Sequence, residues 1–533
     1  MHKKNKILEL LLELIQVPSI TDTSGEAQME ALILSKLRQN PKLLHDNTFG
    51  LEPINNDPHN RSIVWGLLKG EGEGTVILLN HHDVVDCLDY GSLQSLAFNP
   101  EQLKAALKKQ NLSHEVKCDL ENENWLFGRG TADMKGGLAI QLTLLEKFAQ
   151  KNHFKGNLLF LSVPDEETLS LGMRESVKLL EKLSAKYNLS YQLLINSEPH
   201  ERKNDRLTFY DGSVGKTMAV IYVHGKKSHI GKAFEGINPI GILSRIILST
   251  ELNSTLSDSK LGEKSIPPSW SFSRDFKRNY DASIPEAAGG YLSFLTLEST
   301  PKKILKILKS VSEKAFLESV THLQTEYLKN FSNSTRHPEY PAHVKFYEEL
   351  LEDAMTVAPE KTKHVLENSY IEIRTLLNEK KVSIPESNFI IIERLLDVAS
   401  YNTPTIVIAL SPPFYPHTTS TYDNNYDHFK AIAEKALKKY NPEVEHYFMG
   451  ISDLSYVGLQ NEDEIIPFVA PNMPLWHDDF YKIPFETLKT LSMPTIILGP
   501  WGKDLHQKTE RIFIPDLIET IPSCIESLIL STL

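Results

Sequence analysis

Five stretches of the chain place imidazole or carboxylate groups where an apolar run stops. His81, His82 and Asp83 follow TVILLN; Asp133 follows WLFGRGTA; Asp165, Glu166 and Glu167 follow NLLFLSVP; Glu198 follows YQLLINS; His506 follows TIILGPWGKDL. Carboxylates gathered at a buried edge repel one another and lose hydration, and a cation is the simplest compensation. Histidine and carboxylate donors without thiolate suit zinc in a catalytic setting, with manganese or cobalt as alternatives, rather than calcium. Ligands drawn from several segments can hold two metals that share one carboxylate. Such a pair polarises a carbonyl and lowers the pKa of bound water toward ~7. Each stretch alone says little: an HxD is common, a DEE triplet is usually a solvated turn, and GRGTADMKGG reads equally well as an anion nest. Their joint order, with strand–loop–helix contexts between, carries the argument.

The elements that must position these groups alternate. SIVWGLL and TVILLN read as strands, GGLAIQLTLLEKFA as a helix opened by two glycines, NLLFLSV as a fully apolar strand, ESVKLLEKLSAKY as a helix and YQLLINS as a strand. TIVIALS and TIILGP resume this style far downstream. Uniformly apolar strands alternating with helices predict an α/β fold with a mostly parallel sheet covered on both faces. In such sheets ligands bind at the carboxyl ends of the strands. Thr23 and Glu26 predict a capping box on a second helix, after an amphipathic first one. Residues 208–329 differ: alternating strand, helix, strand and long helix predict an inserted α+β domain between catalytic parts at 1–207 and 330–533. The helical stretch at about 330–400 is assigned to the second catalytic part.

Bulk properties narrow the function. A formal net charge of −12 argues against a nucleic-acid partner. No apolar run approaches the ~20 residues that span a bilayer, so no membrane role is expected. Three cysteines, without a CxxC pair, fit a reducing cytoplasm. Cys87 reads as a small buried residue, and WHDD (476–479) as surface.

NHHDVVD resembles the GHxDVVP motif of the two-zinc metallopeptidase family that includes glutamate carboxypeptidase, aminoacylase and succinyl-diaminopimelate desuccinylase. GRGTADMKGG, PDEETLSLG, SEP and DLHQKTE are similar to that family's other motifs, in the same order, and GKKSHIGKAFEGINPI is similar to its lid motif. AFNPEQL, PPFYPH and GISDLSY resemble the arginine-utilisation, RocB-type branch. The resemblance implies a zinc-exopeptidase-like sheet with an inserted lid. It also implies roles. His81 and Glu198 complete one metal site, Glu167 and His506 the other, and Asp133 bridges two Zn²⁺ (or Co²⁺ or Mn²⁺). Asp83 holds the His81 imidazole in its metal-binding tautomer. Glu166 is the general base. His229, from the lid, stabilises the oxyanion, in relatives across a lid-to-lid homodimer. His417 and Asp453 become pocket candidates.

The sequence departs from the family at Asn80 and Asp86, where glycine and proline are usual. The family's substrate-binding lid segment is replaced by SRDFKRNYDASIPEAAGG, in which Arg274, Lys277 and Arg278 are the candidates to grip a carboxylate. The expected activity is hydrolysis of an amide or peptide bond in a small peptide or N-substituted amino acid, in arginine or amino-acid catabolism. The alternatives are an N-acyl or ureido amidohydrolase of the same family, or a non-catalytic binding protein on its fold.

Overall fold

The computed structural model describes residues 5–151, 153–331 and 340–533. The chain divides into two compact units, one of Met1–Ser213, Thr418–Leu459 and Ile483–Leu533, the other of Val214–His417 and Gln460–Lys482.

The first unit is built on an eight-stranded sheet. Its order is Phe49–Pro53, Ser62–Lys69, Lys155–Val163, Glu71–His81, Ser190–Asn196, Thr495–Ile497, Thr208–Tyr210, Glu443–Glu445. The four strands from Lys155–Val163 to Thr495–Ile497 are mutually parallel, so their carboxyl ends line up along one edge. Strand Ser62–Lys69 runs antiparallel beside them. Helices Lys6–Ile15, Gly136–Ala149 and Ile521–Thr532 add Leu11, Leu138 and Ile525 to one continuous apolar core with Leu78, Phe160 and Ile195 of the strands. Gly137 and Gly499 allow close approaches in this packing: a Cβ at Gly137 would lie 2.3 Å from the Ser197 carbonyl oxygen, and one at Gly499 would lie 2.3 Å from that of Glu198.

Two of the five chemical segments do not end on this sheet. Trp125–Phe127 belongs to a separate three-stranded sheet with Gly502–Lys503 and Arg511–Phe513. Asp133 and His506 are therefore delivered by a small second sheet, not by core strands as the sequence suggests. Strands of two or three residues are too short for any period to reveal.

The second unit has a five-stranded sheet ordered Ser269–Asp275, Ala287–Thr296, Gly215–His224, Thr405–Tyr415, His343–Phe346. Here the sequence-based boundaries need correction. The strand Thr405–Tyr415 pairs antiparallel with Gly215–His224, and helices Tyr347–Val357, Pro359–Asn378 and Ile384–Val398 bury Leu350, Ile373 and Ile392 with Val220 and Val407 in this unit's own core. The helical stretch from 340 to 400 thus extends the second unit, not the catalytic one; residues 332–339 lie outside the described part. Ser269–Asp275, whose last three residues open the SRDFKRNYDASIPEAAGG segment, is an edge strand that pairs with Ala287–Thr296.

Candidate metal centre

The strand Glu71–His81 runs straight into the chemistry, and its alternation decides between the two histidines. Successive side chains of a strand point to opposite faces. His82 turns to Ser162, with Nδ1 3.1 Å from its Oγ. His81 turns to the carboxylates: its Nε2 lies 3.1 Å from Asp133 Oδ1, 3.6 Å from Glu198 Oε1 and 4.0 Å from Glu166 Oε2. Its other nitrogen, Nδ1, faces the Asp83 carbonyl oxygen at 3.1 Å and the Asp83 carboxylate at 3.5 Å. A proton on Nδ1 leaves the Nε2 lone pair directed at the acids.

On the other side, His506 Nε2 lies 3.2 Å from Asp133 Oδ2 and 3.0 Å from Glu167 Oε2. The two oxygens of Asp133 thus face two different imidazoles. Donor atoms of His81, Asp133 and Glu167 fall within 4.8 Å of one another. Glu167 Oε1 is buried without a hydrogen-bond partner. Imidazole lone pairs against carboxylates, with an orphaned buried oxygen among them, form a donor set that fits divalent cations.

The local electrostatics point the same way. Burial pushes Glu167 up to about 7, with Asp133 adding to the rise. Burial also raises Glu198, and raises Glu166 well above the usual carboxylate range, with Glu198, Asp453 and Glu167 adding to the Glu166 shift. Hydrogen bonds to Asp133 and Glu167 push His506 up to about 11. Burial opposes ionisation of Asp133, but the two histidines outweigh it and hold the carboxyl below its usual range.

Asp83 does more than orient an imidazole. Its Oδ1 accepts the Glu166 backbone N–H at 3.1 Å, and its Oδ2 accepts that of Glu167 at 3.2 Å and the Thr21 hydroxyl at 2.9 Å. One buried carboxylate therefore ties the first motif to the acidic pair. Asp165 beneath that pair receives Arg61 Nη1 at 2.8 Å, and Glu26 accepts the Asp165 N–H at 3.1 Å. The capping box expected of Thr23 and Glu26 does not form: Thr23 Oγ1 accepts from Gly25, while the Glu26 side chain accepts from Asp22 and Asp165.

Other supports escaped the sequence reading. Glu510 Oε1 accepts the N–H groups of Ala132 at 3.2 Å and Asp133 at 3.3 Å, and its Oε2 receives Arg129 at 2.8 Å. Lys135, fully buried, donates to the Val17 carbonyl at 2.7 Å. For Arg129 and Lys135 the signal was a charge inside the glycine-rich GRGTADMKGG; Glu510, among polar neighbours in HQKTERIF, carried none. Asn80, standing where glycine is usual, donates to Gln141 at 2.8 Å inside the core.

Asp453 lies in the first unit, 1% exposed, where burial pushes its carboxyl to about 8; Ser170, His81 and Glu198 are its neighbours. His229 and His417 lie in the second unit. His229 is exposed at the head of a short turn, with Nδ1 accepting from Gly231 at 3.1 Å; His417 is buried beside Thr296. In the same unit Lys277 is spent on the Asp281 and Ser283 carbonyls, and Arg274 bonds the Asp275 carbonyl. His477 of the WHDD stretch packs its ring at a tilt against Tyr370, centroids 4.6 Å apart. The Cys87 thiol is buried and pushed up to about 11, which disfavours a nucleophile.

An open α/β sheet with histidines and carboxylates gathered beside its strand carboxyl ends is the architecture of a metal-dependent hydrolase. The family model of peptidase family M20/M25/M40 matches residues 106–493, and the chain belongs to that family of hydrolases. Among its relatives, the uncharacterized protein YqjN of Bacillus subtilis is 32% identical, over 97% of this chain and 95% of that one. Protein RocB of the same organism is 27% identical over 99% and 94%. Among solved structures, aminopeptidase PepT from Bacillus cereus matches with a TM-score of 0.54 at 13% identity, covering 99% of this chain and 98% of that one. The metallo-carboxypeptidase Sso-CP2 from Sulfolobus solfataricus matches with a TM-score of 0.53 at 14% identity, covering 99% of both. At these identities the likeness is one of fold.

Proposed function

We propose that this chain is a two-metal hydrolase that cleaves an amide or peptide bond of a small, amino-acid-derived substrate. The observation that carries the reading is Asp133, whose two oxygens face His81 on one side and His506 on the other. His81 and Glu198 would hold one ion and Glu167 and His506 the second, with Asp133 shared; zinc, cobalt and manganese all suit these donors. Ions bound there supply Lewis acidity, which polarises the scissile carbonyl and acidifies water. Glu166 lies beside the ligands without being needed as one, and it is the residue to take a proton from the attacking water and hand it to the leaving amine. Its side chain is 12% exposed, open enough to reach substrate yet dry enough to keep its basicity. The Glu166 and Glu167 backbone is fixed by Asp83, so base and ligand keep their spacing.

The likeness of PPFYPH and GISDLSY to the arginine-utilisation branch supports arginine-derived substrates, in a reducing cytoplasm that suits three free thiols. A homodimer through the second unit is supported by Leu248 and Leu252 of its Pro239–Thr250 helix region, 83% and 62% exposed, and by the edge strand Ser269–Asp275. In such a dimer His229 would donate to the oxyanion of the partner's site. The test is a screen of metal-loaded protein against dipeptides, N-acyl amino acids and arginine derivatives. Turnover that vanishes with chelator and returns with zinc, cobalt or manganese supports the reading. Tight binding of such compounds without turnover would favour a binding protein.

A further inference from the structure

His506 is the least protected of the metal-site residues, with its side chain 53% exposed, so packing does little to hold it. It sits in the connection between Gly502–Lys503 and Arg511–Phe513, strands that pair directly. Asp504 and His506 both have left-handed backbones, φ 53° and 61°, a conformation that Asp and His tolerate better than most residues with side chains but still at some cost. The connection has its own backbone hydrogen bonds, Gln507 N–H to the Asp504 carbonyl at 3.1 Å and Glu510 N–H to that of Gln507 at 2.9 Å, and one buried side chain braces it further. Arg511, 1% exposed, donates from Nη1 to the Thr509 carbonyl at 3.1 Å and pairs with the Asp504 carboxylate, while Thr509 Oγ1 donates to Asp504 Oδ2 at 2.8 Å. Arg511 thus grips the connection on both sides of His506.

Arg511 is itself held from a part of the chain that no metal-site residue occupies. Its Nε donates to Asp119 Oδ2 at 2.8 Å, and Lys503 Nζ reaches the same oxygen at 3.0 Å. Asp119 lies on helix His114–Glu121, in the stretch between the first motif and the Asp133 motif. That stretch has its own small core, in which Leu103, Leu107, Val116 and Leu120 pack against Trp125 and Phe127. Asp119 is therefore presented by a folded, anchored support and not by a loose loop.

We propose that Asp119 is a positioning residue for His506, acting through Arg511, and so sets the affinity of the metal site shared by His506 and Glu167. The proposal rests on the two-metal reading above. A merely structural ion pair would lower stability when cut and leave metal binding alone, so metal affinity is the deciding readout. Metal-free protein is titrated with zinc against a chelator of known affinity, with folding checked by circular dichroism. The unaltered chain should take two ions. Asp119→Ala should keep one at full affinity and bind the other about 10- to 100-fold more weakly, the usual effect of losing a group that supports a ligand; Asp119→Glu should recover most of the loss. If Asp119→Ala does not fold, Asp504→Ala, cut at a side chain 30% exposed, should show the same selective weakening. Two ions at unaltered affinity in either folded variant would overturn the clamp. Fewer than two ions in the unaltered chain would instead defeat the two-metal reading, and the clamp with it.

Discussion

At the scale of residues, the sharing of Asp133 and the proton load of the histidines have separate consequences. Asp133→Ala removes the carboxylate whose two oxygens face the two imidazoles and should lose both metals, whereas Glu167→Ala should chiefly weaken one; elemental analysis of dialysed protein distinguishes them. Metal binding should also be coupled to protons. In the metal-free chain His506 is raised from 6.5 to about 11 by Asp133 and Glu167. Its folded value lies above its unfolded one, so the stabilisation it gives the metal-free protein is complete below about 6.5 and is lost as pH rises through about 11. A metal competes with that proton, so zinc affinity should climb with pH across this window, and binding near neutral pH should release protons. Calorimetry in buffers of different ionisation heat measures the release; a proton count of zero would contradict the geometry.

At the scale of elements, the legible part of the site was the part carried on core strands. His81, Glu166, Glu167 and Glu198 follow apolar runs long enough to recognise, and the alternation of a strand separates His81 from His82. Asp133 and His506 were found by motif, but the three-stranded sheet that brings them together was invisible, because its strands are too short to carry a period. The roles of Asp57 and Arg61 were hidden for another reason: charged residues read as surface, yet with Glu26, expected only to cap a helix, they form a buried network. Arg61 Nη2 pairs with Asp57 at 2.8 Å and Nη1 with Asp165 at 2.8 Å, the arginine side chain being 5% exposed. Arg61→Met would leave several buried carboxylates without their cation. A loss of about 3–5 kcal/mol in denaturant unfolding is expected, with the loop bearing Glu166 and Glu167 loosened. A change below about 1 kcal/mol would mean that the network is dispensable.

At the scale of the whole molecule, the chain is two units with separate cores, and the sequence placed their boundary too early because the second unit's later strand, Thr405–Tyr415, opens on a run, TIVIAL, as apolar as the catalytic strands. The dimer proposed for this unit would cover Leu248 and Leu252 of the Pro239–Thr250 helix region, both exposed in the single chain. Sedimentation should show a dimer, and Leu248→Glu should shift it to monomer. His229→Ala should lower turnover by ~10²–10³ with metals retained, as expected for a lost oxyanion donor. Mixed with Glu166→Gln subunits under conditions of proven exchange, it should regain partial activity, because one site in each mixed dimer then has both groups intact. Failure to recover would place His229 outside the reaction across a dimer.

The central claim, that Glu166 is the base of a metal-dependent amide hydrolase, is tested most directly by Glu166→Gln. The substitution keeps size and hydrogen bonding but cannot take the proton. Turnover on a substrate found in the screen, measured beside metal content on the same sample, should fall by ~10²–10⁴ while both metals remain bound. Near-normal turnover with full metal content would contradict the account.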